Sequence, residues 1–490
     1  MNLTVTDANF AAPDHVQLTG QGSLPSAFDV TGLAVASLAA AGTAVARLSG
    51  RLAAAPHPAA IPQVTVDRAL ASAWFGLSFT PTGWELPPAW DSIAGDYPCA
   101  DGWIRLHTNA PHHRAAALAV LRLPPEAPRE QVAEAVAAWE GEQLEAGIVA
   151  ADGCAAMMRT RRQWLDHPQG AAVAAEPLVH RGTGRRVPPF GRHDAGTRRR
   201  GPLTDARPST TPGAAPAAPR PPAGPSAAVP APARPLAGVR VLDLTRVIAG
   251  PVATRFLALY GAEVLRIDPP DWNEPALEPE MTLGKHCARL DAKTPEGLAR
   301  LVDLLAGADI FIHGYRPDAL DRLGLSDAAL AERHPALVNI ALDAYGWTGP
   351  WALRRGFDSL VQMSCGIAHA GMEHFDRDRP FPLPVQALDH ATGYLTAAAA
   401  IDAWRERLDG TVRSARLSLA RTAIELMRTG PDTDSGDLPA ADSFAWEPED
   451  TAWGPGLRLP PAVVVDGVPA WTGVEARGYG SADAAWPGRR

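Results

Sequence analysis

The hydrophobic and polar positions of residues 235–268 predict one compact unit of strand, turn, helix and strand. The run 239–244 is almost continuously apolar, which is typical of a strand that is covered on both faces. Residues 249–251, Ala-Gly-Pro, are predicted to form the turn, with Pro251 as the first residue of the helix. Gly261 ends this helix, and a second apolar strand follows. A parallel pair joined in this way places the turn at the carboxyl end of the first strand, where open α/β sheets bind ligands.

The same alternation continues through residues 285–350. Thr294, which precedes a proline, is predicted to cap a helix. Short apolar runs at 310–312 and 336–341 predict two buried strands, and residues 345–350, YGWTGP, predict a glycine-rich loop. Short connections between alternating elements favour an α/β fold, with an open, doubly wound, mostly parallel sheet of Rossmann-like type in the C-terminal half.

Residues 24–50 and 383–410 resemble each other. Each contains Leu-Pro, a short loop, Thr-Gly and an alanine-rich helix, and the matching segments 65–71 and 415–421 come next. The shared order of these signals favours a true repeat, although two alanine-rich helices can also be alike by chance. The apolar stretch 33–52 of the first copy contains two arginines, so we predict a buried helix and not a membrane span.

Composition narrows the possible function classes. The chain has 490 residues, enough for several domains, and its formal net charge of −9 argues against nucleic acid as the main partner. Its four cysteines are too few and too scattered for a disulfide framework, and no CxxC pair suggests zinc. A reducing cytoplasm is therefore expected. The first 20 residues contain no signal-peptide pattern.

The first half predicts an α+β arrangement that resembles a small domain. A turn is predicted at 101–102, followed by a strand of alternating character and then a helix. Residues 126–146 predict one charged amphipathic helix, and another helix is predicted to end within 163–170. Three histidines lie within residues 107–113. Because no carboxylate or cysteine stands at ligand spacing, solvated histidines are favoured over a metal site.

Arginines become frequent between residues 181 and 200, and residues 201–234 are rich in proline and alanine. The arginine run is predicted to be a solvated tail and the following segment a linker. We therefore expect four parts. These are a degenerate N-terminal half (1–200), the linker (201–234), a large domain (235–430) and a C-terminal extension (431–490) that packs back on the large domain.

Several segments of the second half stand in a familiar order: VRVLDLTRVIAGPVAT, GAEVLRID, LDAKTPEG, GYRPDALDRLGL, YGWTGP and GFDSLVQ, then Asp389 shortly before Gly393. Together they resemble the large domain of the family III CoA-transferases, also called the CaiB/BaiF family, which includes formyl-CoA and carnitine CoA-transferases. The resemblance extends from residue 235 to about residue 425. The GYRP and TGP segments also resemble the related acyl-CoA racemases.

The resemblance implies a role for Asp389. In that family, an aspartate a few residues before a helical glycine is the nucleophile, and Asp389 stands at this position before Gly393. Its carboxylate would attack an acyl-CoA thioester, and aspartyl anhydride and aspartyl-CoA intermediates would carry CoA to a carboxylic acid. The implied enzyme is a CoA-transferase with acyl-CoA as substrate and no tightly bound cofactor or metal. Without the resemblance, an ordinary helix N-cap would be favoured for Asp389.

The resemblance also implies a set of CoA-binding residues. Val247 and Ala249 would contact the nucleotide, and three further residues would line the CoA site. These are Tyr315, Arg322 and Arg355.

Arg266 and Lys285 are additional candidates, because the 3′-phosphate and pyrophosphate of CoA require basic groups or backbone donors. A solvated surface position is the alternative for each charged residue. Pro269 departs from the family, since some relatives carry a phosphate-binding arginine there.

Two other functions stay open. Racemases of the superfamily carry a histidine beside Gly-x-Asp, whereas this chain has Phe357 before Asp358, which favours transfer over racemisation or isomerisation. The first copy of the repeat has Phe28 where the second has Asp389, and Asp29 is one position off. We predict that the first copy is not catalytic, so a degenerate CoA-binding protein is the other alternative.

Family members are interlocked dimers whose small domains contribute to the cleft. This implies either a fused pseudo-dimer within one chain, with the N-terminal half covering the site, or a homodimer. The expected partners are an acyl-CoA and a carboxylic acid, and neither nucleic acid nor a membrane is expected.

Overall fold

The computed structural model describes residues 14–53, 61–190, 234–433 and 435–487. The strands are β1 Val16–Thr19, β2 Val64–Asp67, β3 Phe79–Pro81, β4 Gly95–Cys99, β5 Gly102–Leu106, β6 Ala155–Met157, β7 His180–Arg181, β8 Arg185–Arg186, β9 Arg240–Leu244, β10 Glu263–Asp268, β11 Lys285–Arg289, β12 Ile310–His313, β13 Val338–Asp343, β14 Thr411–Val412, β15 Ala415–Ser418, β16 Glu447–Thr451, β17 Gly454–Arg458 and β18 Val463–Val465. The helices are α1 Val30–Ala53, α2 Arg68–Trp74, α3 Pro111–Leu121, α4 Arg129–Ala137, α5 Gly141–Ala150, α6 Arg161–Asp166, α7 Pro168–Ala175, α8 Ala249–Leu259, α9 Glu278–Met281, α10 Pro295–Gly307, α11 Pro317–Arg322, α12 Asp327–Arg333, α13 Asp358–Cys365, α14 Ile367–His374, α15 Ala387–Leu408 and α16 Leu419–Leu426, and a 3₁₀ helix spans Ala441–Ser443.

The largest sheet has seven strands in the order β11-β10-β9-β12-β13-β15-β7. Neighbouring strands are parallel, except that β15 and β7 are antiparallel. From β9 the chain builds outward to β11, then returns to the other side of β9 and builds outward again from β12. The direction in which successive strands are added to the sheet therefore reverses between β9 and β12. This reversal creates a crevice at the carboxyl ends of these two strands.

Helices cover both faces of this sheet. On β9, Val241 belongs to the core cluster that contains α8 and α15, whereas Leu242 and Leu244 belong to the cluster that contains α10. Successive side chains of a strand point to opposite faces, so a strand covered on both sides needs a continuous apolar run. The predicted α/β class, with a large and mostly parallel sheet in the C-terminal half, is confirmed.

Most of the elements predicted after residue 235 are present. The parallel pair around the first helix is β9 and β10, and the two buried strands are β12 and β13. Thr294 caps α10 by accepting the backbone N–H of Gly297 at 3.1 Å. Gly261 follows the end of α8 with a φ of 107°, which glycine adopts without strain.

The turn after β9 differs from the prediction. α8 begins at Ala249, so Pro251 is its third residue and not its first. The reversal instead occupies residues 245–248. The buried carboxylate of Asp243 stabilises this earlier turn, because it accepts the backbone N–H of Thr245 at 2.9 Å.

Two helix predictions in the first half are wrong in extent. Residues 126–146 contain two helices, α4 and α5, because the carbonyl of Trp139 accepts a hydrogen bond from Ala100 at 2.9 Å instead of one from the next helical turn. The segment 163–170 contains the end of α6 and the start of α7. Pro168 explains this break, since it stands at the first position of the new helix.

The first part of the arginine run is not a solvated tail. Arg181 lies in β7, which pairs with β15, and Arg185 and Arg186 form β8, which pairs with β14. Arg181 also contacts Glu406 at 3.1 Å. The rest of the run and the predicted linker up to residue 233 lie outside the described residues.

The two copies of the predicted repeat have the same order of elements: α1, β2 and α2 in the first, α15, β15 and α16 in the second. The hydroxyls of Thr31 and Ser72 form a buried hydrogen bond at 2.8 Å, and those at the matching positions, Thr392 and Thr422, form one at 2.7 Å. Chance similarity of two alanine-rich helices would not reproduce this contact between helix and helix, so the structure supports the repeat.

The first half shares sheets with the rest of the chain. β2 pairs with β18, β3 with β17, β7 with β15 and β8 with β14. The sheet β4-β5-β6, in contrast, consists of strands from the first half and has its own core with α3, α4 and α5. Strands from different predicted parts of the chain pair in the same sheets, so the structure does not divide at the predicted domain boundaries. Those boundaries stay predictions.

Helix α1 is long and apolar enough to span a membrane, but 89% of its most apolar window is buried inside the protein. It packs against α15, α2 and β18. The predicted buried helix at this position is confirmed.

Helix α15 crosses α8 at very short distance. A Cβ atom added to Gly393 would lie 2.5 Å from the carbonyl oxygen of Ala249 and 2.9 Å from the side chain of Val252. A backbone oxygen cannot move away without a shift of its helix, so this crossing requires glycine. Because α1 packs on α15 as well, α15 connects α8 to the first half.

Glu280 joins three parts of the chain in a buried ion network. Its carboxylate accepts hydrogen bonds from Arg255 on α8, from Arg458 on β17 and from the hydroxyl of Ser78, which follows α2. Burial would raise the pKa of Glu280, but the two arginines lower it to about 2. The network therefore links the large sheet to the first half and to the C-terminal strands.

Substitution of Gly393 by alanine should lower the free energy of unfolding by about 1–3 kcal/mol, because the added methyl group forces α15 away from α8. Guanidinium unfolding followed by circular dichroism measures this change. Gly430→Ala is the matched control, since a Cβ atom at Gly430 meets no other atom within 4 Å. Equal losses in the two variants would contradict the close crossing.

Glu280→Gln should lower the free energy of unfolding by about 3–5 kcal/mol, because Arg255 and Arg458 lose their shared buried partner. The exposed pair of Glu475 and Arg477 provides the control, and Glu475→Gln should cost less than about 1 kcal/mol. Urea unfolding of both variants tests the network. A loss for Glu280→Gln no larger than that of the control would show that the network does not stabilise the fold.

Candidate active site

The loops that follow β9 and β12 meet in the crevice at the carboxyl ends of these strands. Arg246, after β9, donates a hydrogen bond to the hydroxyl of Tyr315, after β12, at 2.6 Å. The guanidinium of Arg246 also lies 5.1 Å from the ring centroid of Tyr315 and 4.6 Å from that of Trp272. A cation and two aromatic faces therefore meet here, and such groups suit a phosphate-bearing nucleotide.

Val247 adopts a φ of 62° between Arg246 and α8. A β-branched residue is strained in this region, and such strain persists where the surrounding structure enforces it. The backbone N–H of Val247 donates to both carboxylate oxygens of Glu274, at 3.0 and 3.2 Å. Glu274 also accepts hydrogen bonds from Arg266 and Tyr479. A nearly buried acid thus fixes the strained turn.

Asp389 is the third residue of α15 and only 6% exposed. Side chains at positions i and i+4 lie on one face of a helix, so Asp389 lies on the same face as Gly393, one turn before the contact of Gly393 with Ala249. The partial positive charge at the N-terminus of α8 favours a carboxylate there. Among the described residues, none donates a hydrogen bond to the side-chain carboxyl of Asp389.

Asp358, the first residue of α13, caps the helix that contains Asp389. Its Oδ2 accepts the backbone N–H of Asp389 at 2.9 Å, and the amide of Gln362 donates to its Oδ1. Gln362 in turn accepts the N–H of Leu383 at 2.8 Å, in the segment that leads into α15. A carboxylate from another helix therefore satisfies a first-turn donor of α15, and the side chain of Asp389 is left free.

Both carboxyls have raised pKa values. Burial raises the pKa of Asp389 well above its ordinary value, and the neighbouring carboxylates of Asp358 and Glu274 raise it further. Burial also raises the pKa of Asp358, whereas its hydrogen bonds from Gln362 and from the backbone lower it. Two carboxyls this close titrate as a coupled pair. A perturbed carboxyl beside a crevice is typical of a functional site.

Val247, Ala249 and Tyr315 lie together at the crevice, as described above for the two loops and the start of α8. Arg322 lies on α11, is 64% exposed and pairs with the aspartate one turn earlier at 2.6 Å. Arg355 is 35% exposed and pairs at 2.8 Å with an aspartate of the first half. The family resemblance implied five CoA-binding residues, and the structure brings three of them together: Val247, Ala249 and Tyr315.

Arg266 and Lys285 lie behind the crevice, inside the sheet. Arg266 is fully buried and pairs with Asp268 at 2.8 Å and with Glu274 at 3.3 Å. Lys285 pairs with Asp243 at 3.3 Å, and burial lowers its pKa to about 8. These two cations neutralise buried carboxylates that support the turn after β9, and direct contact with a phosphate would require their ion pairs to open.

The first half reaches the large sheet at two places near the crevice. Glu145 accepts hydrogen bonds from Arg159 at 2.5 Å and from Arg354 at 2.7 Å. Glu176 accepts two backbone N–H groups of the glycine-rich loop 345–350, at 2.9 and 2.8 Å. Side chains of the first half therefore fix the single connection between β13 and α13 at two points.

The prediction of solvated histidines is wrong for two of the three. His107 and His113 are 6% and 3% exposed, because their segment packs between the sheet β4-β5-β6 and α13. The ring of His107 stacks on that of Phe357 at a centroid distance of 3.7 Å, and burial lowers the pKa of His107 to about 3. In the part of the chain that the structure describes, no group of three or more His, Cys, Asp or Glu residues is arranged for a metal ion.

Comparison with known proteins bears on this geometry. Residues 236–437 match the family model described as CoA-transferase family III. The similarity to this family therefore extends over residues 236–437 of the chain. An acyl-CoA transferase of Fusarium pseudograminearum is 29% identical over 212 residues, which cover 39% of this chain and 46% of that protein. The human succinyl-CoA:glutarate CoA-transferase is 35% identical over 170 residues, which cover 32% of this chain and 38% of that protein.

Solved structures include similar chains. One is the crystal structure of a Mycobacterium tuberculosis protein whose sequence is 33% identical to this one. The alignment covers 40% of this chain and 56% of that chain, with a TM-score of 0.37. A CaiB/BaiF family protein from Brucella suis is 24% identical and covers 45% and 65%, with a TM-score of 0.34. The family resemblance predicted from the sequence is confirmed for residues 236–437 by the family model. The chain spans less than half the length of the two curated relatives named above.

Three residues between 236 and 437 were given no role in the sequence analysis: Arg246, Glu274 and Asp358. Arg246 stands two residues after the end of β9, and this position at the carboxyl end of a strand is itself a signal of ligand contact. Glu274 and Asp358 act on backbone N–H groups that are distant in sequence, so no local pattern indicates them.

The carboxyl of Asp389 should titrate at higher pH than an ordinary aspartate, because burial and two neighbouring carboxylates oppose its ionisation. Difference infrared spectroscopy of the carboxyl C=O stretch, with Asp389→Asn as reference, measures this titration. Asp358→Asn removes one neighbouring negative charge and should shift the titration to lower pH. Asp303→Asn, at an exposed position of α10, should leave it unchanged. A titration near the ordinary value of about 3.9 would contradict the described environment.

Proposed function

We propose that this protein is an acyl-CoA:carboxylate CoA-transferase in which Asp389 is the covalent nucleophile. The observation that supports this most directly is the carboxyl of Asp389. It lies at the start of α15, beside the crevice of a parallel sheet, and its helix is capped by another acid. The family match supports CoA transfer, and the relatives include succinyl-CoA:glutarate and succinyl-CoA:L-malate CoA-transferases.

The first half-reaction transfers CoA to the enzyme. A carboxylate oxygen of Asp389 attacks the thioester carbonyl carbon, the C–S bond breaks, and CoA leaves as a thiolate, which gives a mixed aspartyl anhydride. The thiolate then attacks the aspartyl carbonyl of this anhydride. The donor acid leaves as its carboxylate, and an aspartyl-CoA thioester remains.

The second half-reaction is the reverse with another acid. The carboxylate of the acceptor attacks the aspartyl-CoA carbonyl and releases CoA thiolate, and the thiolate attacks the acceptor carbonyl of the new anhydride. The products are the acceptor acyl-CoA and free Asp389. No net proton is consumed, which suits a site whose imidazole groups, such as His107 and His390, have strongly lowered pKa values.

We infer that CoA lies in the crevice between β9 and β12. Counted from β9 in chain order, the six parallel strands have the order 3-2-1-4-5-6, which is the order of Rossmann-like sheets that bind nucleotides at this point. Arg246 and the rings of Tyr315 and Trp272 provide a cation and stacking faces for the nucleotide. The backbone at Val247 and Ala249 lies next to them, and Arg355, which pairs with Asp152, lies at the contact with the first half.

In this proposal the first half takes the place of a second subunit. The matching hydroxyl contacts of the two repeat copies indicate that α1 corresponds to α15. Asp29 accepts the N–H of Gly32 at 2.6 Å and so caps its own helix, which leaves its carboxyl bonded. We therefore propose one active site per chain, formed by the second copy and covered by the first half.

The thiols suit the proposed cytoplasmic location. All four cysteines are free. Burial raises the pKa of Cys154, Cys287 and Cys365 to about 12, so these thiols are unreactive. Nothing in this arrangement calls for an oxidising compartment.

An acyl-CoA racemase or isomerase is the second candidate, because the structure brings an imidazole to a position where the sequence lacks one. His107 stacks on Phe357, the residue before Asp358. Proton exchange at the α-carbon needs a base beside the substrate. Incorporation of deuterium from D₂O into an acyl-CoA without transfer of CoA would establish this function instead.

Incubation with a panel of acyl-CoAs, followed by hydroxylamine, should convert Asp389 to a hydroxamate, because hydroxylamine attacks an activated aspartyl ester. Mass spectrometry of the peptide that contains Asp389 detects the product. Asp389→Asn should give no product and no CoA transfer, and Asp29→Asn, the matched control in the first copy, should retain both. No adduct with any donor despite measurable CoA binding would favour a degenerate CoA-binding protein.

A further inference from the structure

Residues 471–487, the C-terminal segment, run along one edge of the large sheet. The backbone N–H of Ala482 donates to the carbonyl of Cys287 on the edge strand β11 at 2.9 Å. The indole of Trp486 donates to the carbonyl of Leu304 on α10 at 3.0 Å. This segment lies beyond residue 437, where the family match ends, so that match assigns it no role.

Tyr479 of this segment contacts loop 269–277, which connects β10 to α9. Its side chain is 9% exposed, and its hydroxyl donates a hydrogen bond to Glu274 at 2.9 Å. Burial raises the pKa of Tyr479 well above its ordinary value, so the hydroxyl keeps its proton and can donate. The guanidinium of Arg266 lies 4.3 Å from the ring centroid of Tyr479 and also donates to Glu274, at 3.3 Å. A tyrosine and a buried arginine therefore fix the position of this carboxylate.

Glu274 links this contact to the turn after β9. Its two carboxylate oxygens accept the backbone N–H of Val247, at 3.0 and 3.2 Å. Val247 has a φ of 62°, which β-branched residues avoid, so the turn needs a partner that enforces its conformation. The preceding residue, Arg246, presents its guanidinium to the rings of Trp272 and Tyr315 in the crevice. The position of Arg246 thus depends on a turn that Glu274 stabilises.

A second contact of the C-terminal segment acts on the same loop. The guanidinium of Arg289 donates to three carbonyls of this loop at 2.7–3.0 Å, those of Pro269, Pro270 and Trp272. Gly480 packs on the side chain of Arg289, because an added Cβ atom would lie 3.1 Å from its Cγ and Cδ atoms. Two adjacent residues of the segment, Tyr479 and Gly480, therefore contact groups that fix loop 269–277 at its start and at Glu274.

We propose that Tyr479 is a positioning residue for acyl-CoA. It fixes Glu274, and through Glu274 it keeps the turn at Val247 in the conformation that receives the nucleotide. A preformed turn strengthens binding, because the ligand does not have to impose the strained conformation itself. This inference rests on the proposed function, and it makes the C-terminal segment a part of the active site.

Tyr479 tests this role more cleanly than Glu274 does. Burial, and then the carboxylates of Asp358 and Glu274, raise the pKa of Asp389. A substitution that removes the charge of Glu274 would therefore alter the proposed nucleophile as well as the turn. Tyr479→Phe removes one hydroxyl, and it leaves both the charge of Glu274 and the ring beside Arg266 in place.

Tyr479→Phe should raise KM for acyl-CoA and Kd for CoA about tenfold, because a hydrogen bond to a charged group is lost. It should leave kcat nearly unchanged, since the turn contacts the nucleotide and not the reacting atoms. Transfer kinetics and isothermal titration of the full chain with CoA measure these constants. Arg477→Gln, at a 57% exposed position of the same segment, is the matched control and should change none of them.

A double-mutant cycle separates positioning from a general loss of packing. Glycine adopts a φ of 62° without strain, so the turn depends less on Glu274 in the Val247→Gly background. In that background, Tyr479→Phe should raise KM and Kd by less than about threefold. A merely structural role of Tyr479 predicts the same factor in both backgrounds, and this result would overturn the proposal. A lower kcat with unchanged KM and Kd would overturn it as well.

Failure of the proposed function gives a different result. Formation of the hydroxamate at Asp389 tests transfer, whereas titration with CoA requires no reaction. An adduct at Asp389, together with unchanged KM and Kd in Tyr479→Phe, overturns the positioning role alone. If no adduct forms, weaker CoA binding by Tyr479→Phe still supports that role. Equal CoA binding by the two chains, or no binding by the unmodified chain, overturns it.

Discussion

The close crossing of α8 and α15 fixes the relative positions of the large sheet, the crevice and the first half. At Gly393 the backbones approach so closely that a methyl group would meet the carbonyl of Ala249. Asp389 lies one turn earlier, so the same contact places its carboxyl near the start of α8, where a helix dipole and the loop after β9 coincide. Because α1 packs on α15 as well, this crossing also fixes where the first half meets the crevice.

The charged groups follow from this arrangement. Behind the crevice, Arg266 and Lys285 neutralise carboxylates that are fully buried, and Glu280 is neutralised by Arg255 and Arg458. An uncompensated charge in such a place costs several kcal/mol, so these cations cannot also be free for a ligand. Cations that bind a ligand are therefore expected at positions that solvent reaches. This separates residues that support the turn from residues that can bind substrate, although all are arginine or lysine in the sequence.

Local patterns predicted what depends on local physics. The apolar runs of β9, β12 and β13, the Thr294 cap and the buried helix α1 follow from periodicity and capping chemistry. The repeat and the position of Asp389 before Gly393 could also be found in the sequence, because both follow from the order of short sequence motifs. The role of Asp358, the burial of His107 and the pairing of Lys285 with Asp243 were not. Each depends on a partner from another element, and sequence spacing carries no information about such a contact.

The two copies of the repeat differ in which acid caps the helix. In the first copy, Asp29 accepts the N–H of Gly32 and caps its own helix. In the second copy, Asp358 comes from α13 and bonds the N–H of Asp389, so the carboxyl of Asp389 has no capping task. A carboxyl that already satisfies a helix donor is a poor nucleophile, because attack on a substrate would break that bond. Both copies have an aspartate at the start of the helix. The copies differ because only the second has another carboxylate, that of Asp358, to cap the helix.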